Sequence, residues 1–329
     1  MKKVLAAVLS LAVCFVLSTS VWAGSGSVTV NSDTAVDVYG PLSGYADLGD
    51  EAWGTSVQAV AAWVHPAWLN YVDLDGMWIS TSEDVVDPAN DSWRWFHHEF
   101  PIPCSAYNVD VADVQATSDN AEEFYFNGEF IGSYGEVQGS FVDDMEWADV
   151  TNYPVYPEPG INTLDFIVRN YFLNTENPKD NPTGLIYSLT INYEIPEVEW
   201  LPPVTHEPFT LKDGTTLPLK FQLFEQDGTL ITERKNVILE LYGGECYDDT
   251  LNGMVASWEL GEGVENLRFD EYEYYYIANF KTKDFENLPG KVYAVVRDGC
   301  DTNSILDACM PFEISSEKGT NRGNNKKEK

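Results

Sequence analysis

FYFNGEFI, Phe124 to Ile131, decides the fold class. Apolar and polar residues alternate on both sides of Asn127-Gly128, and that dipeptide supplies the positive φ angles of a two-residue type I′ turn. The run therefore predicts a β-hairpin. Working outward, LDFIV at Leu164 to Val168 and LIYSLTI at Leu185 to Ile191 read as a further strand pair joined by a long Asn/Pro loop. Short alternating runs recur from Ser27 to Tyr193 between Gly, Pro, Asn and Asp clusters, the pattern of an all-β sandwich or barrel. The best helical candidate, Val57 to Trp63, alternates as well as a strand does, and Pro66 would stop a helix.

The chain opens with Lys2-Lys3, an apolar run from Val4 to Leu17, and small residues leading to Ala23, so residues 1–23 read as a secretory signal peptide. That run is too short to span a bilayer, which implies an exported protein, secreted or at the cell surface, with no membrane insertion. About 300 residues remain, enough for two domains with real cores. The net charge is −34, and from Gly24 to Trp200 the cations are Arg94, Arg169 and Lys179 alone. Such a field repels nucleic acid and anionic lipid, and it attracts divalent cations and basic surfaces.

Three stretches carry a family resemblance: SWRWFHHEFPIP from Ser92, TSDNAEEFYFNGEFIGSYGE from Thr117, and PEPGINTLDFIVRNYFLNTENPKDNPTGLIYSLTINY from Pro157. In that order they resemble the galactose-binding-like jelly rolls of secreted prokaryotic proteins. The resemblance implies a jelly-roll domain over 24–194, in which Asp119 and Asn120 match the module's motif, and a structural Ca²⁺ held partly by loop carbonyls. The prolines of 195–208 read as an extended, semi-rigid linker. Beyond it, Pro218-Leu219-Lys220-Phe221 and the strand-like runs that follow resemble the PxKF-type Ig-like module of secreted prokaryotic proteins, over 209–314. The polar, basic residues 315–329 read as a disordered tail.

Once the signal is removed, Cys104, Cys246, Cys300 and Cys309 remain, an even number in an exported chain. Cys300 and Cys309 flank DTNSILDA between two strand-like runs, so the favoured bridge is Cys300–Cys309, with Cys246–Cys300 as its competitor. Asp73 and Asp75 before Gly76 resemble the start of a calcium loop, although Tyr71 and Ser82 stand where further oxygen ligands belong. His97-His98-Glu99 invites a metal reading, but neighbours on a strand point to opposite faces, so the two imidazoles cannot reach one ion without a bulge.

Nothing in the sequence spells a reaction: there is no GxSxG elbow and no phosphate loop, and among 53 acidic residues a carboxylate pair carries no information. The expectation is a protein that is not an enzyme. Aromatics are the better lead, because sugars stack their apolar faces on exposed rings while polar groups orient the hydroxyls. Trp63 and Trp68 flank a loop-like HisProAla, and Trp93 and Trp95 share a strand face; these four, with Asp119 and Asn120, are the candidate ligand contacts. The resulting expectation is an extracellular glycan or cell-surface polymer bound by the first domain. The alternative is a structural or adhesive component of an envelope or matrix.

Overall fold

The computed structural model describes residues 24–66, 68, 74–84, 90–139, 149–204, 210–244, 253–285, 288–300 and 305–315. In its first half the strands are β1 (Gly24–Asn31), β2 (Asp37–Leu42), β3 (Val57–Gln58), β4 (Val60–Ala61), β5 (Ile79–Ser80) and β6 (Ser92–Ile102). They continue as β7 (Ala112–Asp119), β8 (Ala121–Phe126), β9 (Glu129–Tyr134), β10 (Thr151–Val155), β11 (Gly160–Asn170) and β12 (Gly184–Ile195). One sheet runs β3-β2-β6-β11-β8-β9, and the other runs β10-β7-β12-β5-β4 with β1 also on β12. Asn127 and Gly128 take φ of 50° and 77° between Phe126 and Glu129, the turn that the hairpin reading required.

Alternation fixes which face each strand buries. Phe96, Phe124, Phe166 and Val38 from the first sheet meet Val114, Leu185, Tyr187 and Leu189 from the second in one buried cluster. The sheets are stitched by stacking of Phe166 on Tyr187, with ring centroids 5.2 Å apart. At one end of this layer the inner face turns polar. Arg94 and Glu122 flank Val168 across the sheet and are both fully buried. Arg94 donates to Thr81 Oγ1 at 3.2 Å and Ser92 Oγ at 3.0 Å, and its burial lowers it to about 10. Glu122 accepts from the hydroxyls of Ser118 and Tyr153, and burial pushes it up to about 7.

The second half holds β13 (Glu197–Leu201), β14 (Thr210–Lys212), β15 (Thr216–Phe224), β16 (Val237–Gly243) and β17 (Met254–Trp258). It ends with β18 (Arg268–Asp270), β19 (Tyr275–Lys281), β20 (Lys291–Asp298) and β21 (Ile305–Ser315). A β13-β15-β19-β18 sheet faces a β14-β21-β20-β16-β17 sheet. Leu219 and Phe221 of the PLKF run point into their shared core, where Phe221 stacks on Tyr276 at 5.0 Å. Both halves are thus β-sandwiches, as the alternation implied.

Two expectations about the junction are corrected. The expected spacer over 195–208 is folded where it is described: β12 runs to Ile195, and after Pro196 the chain enters β13, which pairs with β15, while 205–208 lie outside the described residues. The physical reason is the alternation inside the Pro-rich stretch, where Val198 and Trp200 are buried while Glu197 and Glu199 are exposed. Nor is Cys300 bonded to Cys309: its partner is Cys104, 196 positions away in the first half. The fold brings the β6–β7 loop onto the end of β20. There the Asp298 carboxylate, fully buried, accepts the backbone N–H groups of Cys104 at 3.1 Å, Ser105 at 2.6 Å and Cys300 at 2.8 Å. Tyr107 inserts into the second half's core, and its hydroxyl accepts from Gln226 N–H at 2.7 Å. Cys246, the signal reading of 1–23 and the tail reading from 316 onward fall outside the described residues.

Candidate functional site

The outer face of the β3-β2-β6-β11-β8-β9 sheet is where chemistry collects. Strand register lays one row of side chains across it: Gln58, Asp37, His97, Asp165, Tyr125 and Phe130. The next row holds Tyr39, Trp95, Ile167 and Glu123. Residues directly opposite on antiparallel strands place their Cβ atoms about 4.5–5.5 Å apart, so each row is a continuous surface.

Tyr39 and Trp95 stack with centroids 4.2 Å apart and planes at 14°, both half-buried. Asp165 holds this pair in place: its Oδ1 accepts from Trp95 Nε1 at 2.8 Å and pairs with His97 Nδ1 at 2.7 Å. The hydrogen bond to Asp165 is the main reason His97 is held above the usual imidazole range. Two strands' width away, Glu123 gathers the hydroxyls of Tyr45 at 3.0 Å and Tyr125 at 3.1 Å and the amide of Gln138 at 2.7 Å. Burial raises both phenols, with the Glu123 charge adding to it, so both keep their protons and donate.

His97 and His98 point to opposite faces, as their adjacency on a strand demands. His98 lies inward against the Tyr187 hydroxyl at 2.6 Å, where burial pushes it down. Among the three cations of the first half, Arg169 belongs to this face and is buried in it. Arg94 is inside the sandwich. Arg169 is spent on Asp91, two carbonyls and the Trp93 ring, and Lys179 sits 5.6 Å from the Trp63 ring.

The structure redistributes the tryptophan candidates. Trp68 is fully buried and stacked on Trp78 at 4.1 Å, so it is core rather than an exposed ring. Trp93 is also buried, donating its indole N–H to Val137 O at 2.8 Å beneath the Arg169 guanidinium. Trp63 is half-buried, edge-on to His65 and away from the outer face. Trp95 alone of the four belongs to the aromatic pair. Asp119 and Asn120 are buried and serve the chain itself, with Asn120 Oδ1 accepting Tyr171 N–H at 2.6 Å and Asp119 O accepting the Thr183 hydroxyl at 3.2 Å.

Tyr39, Asp165, Glu123 and Tyr45 escaped the sequence reading. Only register places Asp165 opposite His97, and no spacing within one strand could have revealed it. Of the calcium candidates, Asp73 lies outside the described residues and Asp75 is exposed. Among the described residues the one close group of three metal-ligand types is Cys104, Asp298 and Cys300. That set does not suit a hard cation, because the sulfurs are joined to each other and the carboxylate already takes three N–H groups.

No protein family matches the chain, and no curated protein does. Solved structures do. One is a β-glucuronidase from an uncultured Clostridium sp., 13% identical at a TM-score of 0.30 over 88% of this chain and 45% of that one. Another is the β-glucuronidase of Ruminococcus gnavus with N1-substituted uronic isofagomine, 13% identical at 0.27 over 85% and 45%. A third is the crystal structure of Ruminococcus gnavus β-glucuronidase, 15% identical at 0.26 over 87% and 44%. The chain spans less than half the length of each. The expectation that this protein is not an enzyme is corrected on that finding, since the matched structures are enzymes. A likeness this remote assigns neither an activity nor a residue.

Proposed function

We propose that this is an exported protein that binds carbohydrate on the outer face of the β3-β2-β6-β11-β8-β9 sheet, and that its halves are a galactose-binding-like jelly roll and a PxKF-type Ig-like module. The observation that supports this reading is the stacked, half-buried Tyr39–Trp95 pair, held by Asp165 beside half-buried His97 and exposed Glu99. Sugar rings stack on such aromatics through their C–H faces, while carboxylates and phenols take the hydroxyls. Because this face leaves Asp37 and Glu99 accessible while its Arg169 is buried and paired with Asp91, the ligand is a neutral saccharide rather than an anionic one. The second half holds the first in a set orientation through Cys104–Cys300 and the Asp298 carboxylate.

The test is a glycan array probed with the full chain, with and without Ca²⁺, alongside Trp95→Ala. Wild type should retain neutral glycans, and Trp95→Ala should lose about tenfold or more, since ring stacking contributes on the order of 1–2 kcal/mol. A calcium requirement would keep the structural ion of the jelly-roll resemblance in play. Retention of no glycan under either condition would give first place to the envelope or matrix component.

A further inference from the structure

His97 sits in a setting that nothing in its own strand announces. Register puts Asp37 of β2 on one side of it and Asp165 of β11 on the other. Glu99, two residues along the same face, brings Oε1 to 3.5 Å from Nε2. From the remaining neighbours it faces Trp95, whose ring centre is 5.9 Å away, Thr163 opposite Glu99, and, one strand beyond Asp165, the protonated phenol of Tyr125. His98 turns to the other face, against Tyr187. Gln58 Nε2 donates to Asp37.

The two ring nitrogens have unlike partners, and that difference decides which proton moves. Asp165 is buried and receives the Trp95 indole N–H on the same Oδ1 that meets His97 Nδ1 at 2.7 Å. An ionised carboxylate only accepts, so Nδ1 must carry a hydrogen in both charge states of the ring. Nε2 faces the exposed Glu99, with the His97 side chain 22% exposed. The proton that leaves on titration is therefore the one on Nε2.

We propose that His97 regulates the carbohydrate face as a proton switch: with Nε2 protonated the ring offers a charge-assisted donor to an acceptor oxygen of the saccharide, and on deprotonation Nε2 becomes an acceptor. This rests on the carbohydrate reading of that face. Two carboxylates against one imidazole, Asp165 first and then Glu99, favour the protonated ring, in line with the upward displacement of His97. The sign follows: a base whose folded pKa is raised contributes stabilisation that is complete below its unfolded value of about 6.5 and is lost as pH rises through the folded value. Saccharide affinity changes in the same direction, being highest on the acid side, and it does so without moving the backbone.

Two measurements on the full chain test this. First, long-range ¹H–¹⁵N correlation of the imidazoles through a pH titration, without ligand, should show Nδ1 protonated throughout and Nε2 titrating above the usual imidazole range. The displacement should shrink in Glu99→Gln and in Asp165→Asn; Glu99 is exposed, so that variant remains informative if Asp165→Asn fails to fold. A ring that loses its Nδ1 proton, or titrates at or below the usual range, overturns the switch. Second, the array glycan retained best should bind about tenfold more weakly at about pH 8.5 than at about pH 5.5, the worth of one charge-assisted hydrogen bond, and His97→Gln should flatten that ratio. Equal binding at both pH values, with Nε2 titrating as expected, overturns the switch alone. No glycan bound at either pH overturns the carbohydrate reading and the switch with it, whatever the titration shows.

Discussion

The two faces of one sheet, built from the same three strands β6, β11 and β8, do opposite work. Inward, Phe96, Phe166 and Phe124 make a dry aromatic layer. Outward, at the intervening positions, Trp95, His97, Asp165, Glu123 and Tyr125 make a polar, hydrogen-bonded one. Inner residues are fixed by volume, outer residues by partner atoms. The lesson is that the sequence period of two separates aromatic packing from side-chain hydrogen bonding here, and a residue's parity says more than its type. His97 and His98 are the same side chain one position apart, yet one is held above its usual range and the other below it.

The comparison breaks most visibly if the inner layer is not the stabilising one. Phe166→Ala removes a ring stacked on Phe124 at 4.6 Å and Tyr187 at 5.2 Å and should cost about 3–5 kcal/mol in denaturant unfolding. A cost no larger than that of Tyr39→Ala would show that the faces are not distinct. Next in size is the junction: replacing both Cys104 and Cys300 by Ser should cost roughly 2–5 kcal/mol, because the bridge closes a very long loop. Mass mapping that joins Cys300 to Cys309 would refute the assignment outright.

Glu122 sharpens the comparison from inside. It is a carboxyl raised to about 7 from an ordinary 4.5, so the folded state binds a proton that the unfolded state has lost. Its contribution is complete below about 4.5 and is lost as pH rises through about 7, a swing on the order of 3 kcal/mol. Glu122→Gln should be nearly neutral on the acid side and stabilising above pH 7, read as a flattened stability–pH profile. An unchanged profile would mean that this carboxyl is ionised where it lies. Smallest of all, Tyr39→Ala on the outer face should shift the melting temperature by only a few degrees.

Local signals were legible and long-range ones were not. Asn127-Gly128 announced its turn, and the histidine pair announced its split, because both depend on adjacent residues alone. Cys104–Cys300 was invisible: the eye pairs Cys300 with Cys309 across a short loop, whereas the fold carries the β6–β7 loop to the end of β20. β13 was masked by the prolines on either side of Val198 and Trp200. Trp68 read as loop-borne and exposed, and Trp78 covers it. Asp165 had no local feature at all, since its importance comes from two partners on a neighbouring strand.

The central claim is that the outer face takes the saccharide, and a crystal structure of the full chain with its best-retained array glycan tests it most directly. The account predicts sugar density against the Tyr39 and Trp95 rings with a hydroxyl or carbonyl oxygen in hydrogen-bond reach of His97 Nε2. Density instead in the roughly 510 Å³ cleft between the halves, lined by Tyr107, Asn108, Glu225 and Thr232, would contradict it.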